Sequence, residues 1–82
     1  MQLNHEKLHE RLLVGNKACA LAEYIFEKNG TEARRLDYQS AAKALGIAKN
    51  TVGATLLKLV LLKVVTVDDG TVQINVDLIK ED

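Results

Sequence analysis

Apolar and polar residues alternate along Val64-Val65-Thr66-Val67 and again along Val72-Gln73-Ile74-Asn75-Val76, and Asp69-Gly70 stands between the two runs. Asp-Gly suits a two-residue type I′ turn and the runs are rich in β-branched residues, so the segment predicts a β-hairpin. That turn pairs Val67 with Val72 and Val65 with Ile74 on one face and leaves Thr66 and Gln73 on the other, as in a sheet with one wet side. Upstream the alternation gives way to helical spacing. Leu21, Ala22, Ile25 and Phe26 share one face, which predicts a helix through Lys17 to Lys28, capped by Asn16 and stopped by Asn29-Gly30. Asn4 is placed to cap an N-terminal helix through about Leu13, with Leu8 and Leu12 one turn apart. Gly15-Asn16 separates the two helices, or else one kinked helix runs through them.

Between the helices and the hairpin, Thr31 to Arg35 reads as a polar connection and Leu36 as a one-residue contribution to the sheet. Asp37 caps a helix at Tyr38 to Leu45. Ala42 is small where that helix would cross the next one, and Gly46 stands where a left-handed backbone ends it. Val52, Leu56 and Leu59 fall within about 60° of one another around the second helix and form its core stripe. The tail after Val76 is too short to assign.

An alanine-rich helix, a glycine turn, a second helix and a strand thus follow one another from Gln39 to Val65. In that order, and in the placing of Ala42, Leu45, Gly46, Ile47, Val52, Leu56 and Leu59, the chain resembles the winged helix-turn-helix domains of small bacterial, archaeal or phage-type regulators. The resemblance implies an α+β, mainly α fold with an N-terminal helix and a C-terminal β-hairpin wing. It reads residues 1–82 as a single domain, with the helix-turn-helix at about 37–62 and the wing at about 64–76. It also implies a double-stranded DNA partner, a role in transcription regulation and a homodimer reading two half-sites. Lys49, Asn50, Thr51 and Ala54 would then meet the major groove, with Arg34, Arg35, Gln39, Ser40, Lys43 and Lys58 holding the DNA backbone.

Charge bears on that expectation. The net charge is zero, but residues 33–63 carry six basic groups and one acidic, giving +5, against −1 for residues 1–32 and −4 for residues 64–82. The positive block coincides with the helix-turn-helix, although surface lysines of any helical segment can produce one. Two features oppose DNA. The wing tip is acidic, at Asp68 and Asp69, and only Lys49 and Asn50 can read a hydrogen-bond pattern on base edges, while Ala54 can touch a thymine methyl. Gly53 and Ala54 would instead allow close backbone approach, with preference coming from DNA shape.

Ala54, Leu57 and Leu61 lie away from the core stripe, so Leu57 and Leu61 need cover from the N-terminal helix, a second subunit or another protein. The other possibility is that the helix ends near Val60 and Leu61-Leu62 enter the sheet. An interface there favours an alternative function, a winged-helix adaptor that grips a protein and never touches DNA.

Other chemistry is sparse. His5-Glu6-Lys7-Leu8-His9 spells the zincin pattern, but a catalytic zinc needs a third ligand and a cleft, and these are the only two histidines. Two solvated histidines are expected, and no metal. Cys19 is expected as a small buried apolar residue. Neither a nucleophile context nor a Gly-rich phosphate loop is present, so no enzymatic activity and no cofactor are expected. Lys58, Lys63 and Thr66 interrupt the apolar stretch from Leu56 to Val67, and no signal sequence is read, so the expectation is a cytoplasmic protein with no membrane partner.

Overall fold

The computed structural model describes residues 2–11 and 16–80, and of Asn16 the backbone alone. Over these residues the chain is α+β and mainly helical: β1 (Gln2–Leu3), α1 (His5–Arg11), α2 (Asn16–Asn29), β2 (Arg34–Arg35), α3 (Tyr38–Leu45), α4 (Lys49–Leu61), β3 (Val65–Asp68), β4 (Thr71–Ile74), a 3-10 turn (Val76–Leu78) and β5 (Ile79–Lys80). Leu12, Leu13 and Gly15, as well as the Asn16 side chain expected to cap α2, lie outside the described residues.

Helix α1 starts where Asn4 Oδ1 accepts the Lys7 N–H at 3.2 Å, and Leu8 anchors it as a fully buried residue. Helix α2 buries Ala18, Leu21, Ala22 and Ile25 and ends at Gly30, whose φ of +59° lets its N–H return to the Phe26 carbonyl at 2.7 Å. Asn29, expected only as part of the stop, is itself buried and donates Nδ2 to the Val72 carbonyl at 2.9 Å, tying α2 to the sheet.

Helices α3 and α4 are separated by Gly46, Ile47 and Ala48 and bend by 99° relative to one another. Gly46 takes a φ of +66°, and the Ile47 N–H bonds the Ala42 carbonyl at 3.0 Å, which is the closing geometry of a Schellman turn. Ala41 and Ala42 are both buried at the crossing; Leu45 and Ile47 are half-buried against the core. From α4, Val52, Leu56 and Leu59 enter the core as the stripe predicts, joined by Thr55.

The end of α4 departs from the second expectation. The helix runs to Leu61, and neither Leu61 nor Leu62 joins the sheet; they are 72% and 42% exposed. A second Schellman turn follows without a glycine: Lys63 sits at φ +60°, its N–H bonds the Val60 carbonyl at 3.1 Å, and the Val64 N–H bonds the Leu59 carbonyl at 2.8 Å. The left-handed lysine is held because its carbonyl accepts from Arg11 Nη1 at 2.8 Å and Asn75 Nδ2 at 2.9 Å. Burial of Val64 and Leu59 then reverses the chain into β3.

The hairpin has the predicted register, Val65 opposite Ile74 and Val67 opposite Val72. Asp69 and Gly70 both have positive φ, +50° and +79°, as a type I′ turn requires. Three details differ. The third strand is Arg34–Arg35, pairing with Val72 and Thr71, and not Leu36, which packs half-buried beside it. Strand β4 ends at Ile74 because Asn75 turns the chain, its side chain accepting the Asp77 N–H at 3.3 Å. Val67 is 43% exposed although its partner Val72 is buried, so cover of the inner face stops short of the β3 side of the tip. The strand order is β2-β4-β3.

The tail also takes a form that the sequence left open. Ile79 and Lys80 pair antiparallel with Leu3 and Gln2, Leu78 is fully buried, and Arg11 Nη2 meets Asp77 Oδ2 at 2.7 Å. Among the described residues no single helix is long and apolar enough to cross a membrane.

Candidate nucleic-acid interface

The helix pair presents two very different N-termini. At α3, Asp37 Oδ1 accepts the Gln39 and Ser40 amides at 3.0 and 3.2 Å, and its Oδ2 accepts the Ser40 hydroxyl at 2.9 Å. The Ser40 amide and hydroxyl, then the Gln39 amide and the Lys49 charge, hold the Asp37 carboxyl below its ordinary range. Ser40, expected to hold a phosphate, therefore has its hydroxyl proton engaged within the protein. Gln39 keeps an exposed side chain. At α4, by contrast, Ala48 is the N-cap and no side chain caps the helix; its carbonyl takes the Thr51 N–H at 3.0 Å, which leaves the Lys49 and Asn50 amides for water or a ligand.

Along α4, Lys49, Asn50, Ala54 and Lys58 are exposed and Thr51 is half-buried, so these five residues emerge from one element with polar groups concentrated at its start. Gly53, expected at the same surface, turns toward α3 instead: a Cβ there would lie 3.5 Å from Tyr38 Cε2. Leu57 and Leu61 stand one turn apart on the outer face, 60% and 72% exposed, without cover from the described residues of the N-terminal helix.

The remaining cations surround this pair. Lys43 is exposed on α3, and Arg34 and Arg35 are exposed on β2. Arg34 is the compromised one, because its Nε donates to Glu32 Oε2 at 3.0 Å and its Nη2 bonds the same oxygen. Between α2, β2 and the start of α3 lies an open groove of about 360 Å³, whose lining includes Tyr24, Lys28, Arg34, Arg35, Asp37 and Ser40. Sequence reading overlooked Tyr24 and Lys28. Their spacing of four residues on a helix was the available signal, and Lys28 Nζ does stand 5.7 Å from the Tyr24 ring centroid.

The hairpin tip keeps Asp68 and Asp69 exposed. At α1, His5 Nε2 lies 2.9 Å from Glu23 Oε1, and the described residues contain no group of three or more His, Cys, Asp or Glu able to hold a metal. Cys19 is only half-buried, and burial first, and the Glu23 charge second, raise its thiol pKa, which favours the protonated thiol at neutral pH. No protein-family model, curated protein or solved structure matches the chain.

Proposed function

We propose that this chain is a winged helix-turn-helix protein that binds double-stranded DNA and serves as a small transcriptional regulator. The observation that carries the reading is the α3–α4 pair: two helices bent by 99° across a three-residue turn, the second uncapped and opening with the exposed Lys49 and Asn50. In this reading α4 enters the major groove by its N-terminal half. Lys49 and Asn50 meet base edges and phosphates, Thr51 and Ala54 line the same approach, and the Lys49 and Asn50 amides receive a phosphate. Lys43, Lys58, Arg35 and the Gln39 side chain hold the flanking backbone, and Arg34 joins them if it releases Glu32. The β3–β4 hairpin is the wing, and its aspartates keep the tip off the duplex.

A second reading is favoured by one observation, the exposure of Leu57 and Leu61 on α4. An adaptor would bury both against a protein, and a homodimer would bury them against a second copy. Titration of random-sequence duplex with the native protein at low salt tests the first reading. Saturable binding supports it, and no binding leaves the protein-binding reading in its place.

A further inference from the structure

The groove beside β2 gathers positive charge from two separate parts of the chain. Lys28 comes from the end of α2, within the sequence block whose net charge is −1, and Arg34 and Arg35 come from β2 in the positive block. The volume of about 360 Å³ admits a phosphodiester and its sugar. Lys28 and Arg35 are the groove cations with no acidic partner among the described ion pairs, and Lys28 also has the Tyr24 face at 5.7 Å, which steadies an ammonium without neutralising it. The acid that lines the groove, Asp37, is already satisfied: two amides and a hydroxyl are bonded to it, and Lys49 stands close enough to stabilise its charge. Asp37 also links the two surfaces. It lines the groove, and the Lys49 charge at the first residue of α4 acts on its carboxyl.

Resting on the DNA reading above, we infer that this groove seats a backbone phosphate of the same duplex and that Lys28, outside the helix-turn-helix, holds it together with Arg35. The chemistry recognised is the phosphodiester oxygen, so the contact adds affinity without base preference.

The test is a salt titration of random-sequence duplex with the native protein, Lys28→Gln, Lys28→Arg and, as a remote control, Lys80→Gln on β5. Loss of one phosphate contact makes the plot of log affinity against log salt shallower by about 0.9. Lys28→Gln should show that change and weaker binding at low salt, while Lys28→Arg and Lys80→Gln keep the native slope. If the native protein binds duplex but Lys28→Gln keeps its slope, or if Lys80→Gln flattens it equally, the groove assignment is overturned and the DNA reading stands. If the native protein binds no duplex, both fall.

Discussion

Gly53 of α4 faces the Tyr38 ring of α3 so closely that a Cβ on the glycine would sit 3.5 Å from Cε2, an ordinary van der Waals contact. The absent side chain is therefore not required by packing. Gly53 carries the backbone entropy cost of a glycine inside a helix, and Gly53→Ala should raise stability by about 0.5–1 kcal/mol in a denaturant titration. Duplex affinity should be unchanged, because the new methyl points at Tyr38. A stabilised variant that had lost DNA binding would instead mean that the duplex backbone comes close to this residue.

The cap of α3 predicts a pH dependence. Asp37 has a folded carboxyl pKa below the ordinary value of about 3.9, so its ionised form stabilises the fold above that pH, and the contribution is lost as pH falls through the folded value. Asp37→Asn keeps a capping oxygen but not the charge beside Lys49. Thermal melts should find the parent more stable near pH 6 and the two proteins converging in acid. A gap that stays constant with pH would remove the ionised cap from the account.

The hairpin tip tests the effect that the DNA reading assigns to Asp68 and Asp69. Asp69 occupies a left-handed position at φ +50°, which asparagine also tolerates, so Asp68→Asn with Asp69→Asn should preserve the turn. Removing two exposed negative charges should raise non-specific duplex affinity modestly, and more at low salt than at high. Weaker binding with an intact fold would show that these carboxylates make favourable contacts.

Much of this architecture is legible in the sequence, for reasons that mark where legibility ends. Asp69-Gly70 fixes the hairpin register because both turn residues must take positive φ, and Gly46 fixes the end of α3 for the same kind of reason. Local rules failed where distant groups decide. Arg34 and Arg35 form an exposed edge strand with no apolar alternation, and only the pairing with Val72 and Thr71 defines it. For Leu61 and Leu62 the sequence left open a helix face or a place in the sheet, and the choice falls to the helix side because Lys63 turns left-handed first, held by Arg11 from 52 positions upstream and by Asn75. The pairing of β1 with β5 joins opposite ends of the sequence and leaves no local trace. At the candidate interface the cations of α3 and α4 were readable by type and spacing, whereas Lys28 enters only through the groove that the fold builds around it.

Leu57 distinguishes the two functional readings. It is 60% exposed, so Leu57→Lys should change folding stability by no more than about 0.5 kcal/mol. With DNA along this face, the added charge should maintain or strengthen duplex binding. With a protein or second copy on it, the lysine would be buried unpaired, and sedimentation should show the complex dissociating. An unfolded variant would contradict the exposed position of Leu57 itself.

The most direct measurement of the central claim is the affinity of the native protein for random-sequence duplex across a salt series. Lys43, Lys49, Lys58 and Arg35 stand exposed around α3 and α4, with Lys28 at the adjoining groove. Neutralising phosphates with that set predicts affinity that falls as salt rises, with the release of roughly four to six counterions. No duplex binding at low salt, or binding indifferent to salt, would contradict it.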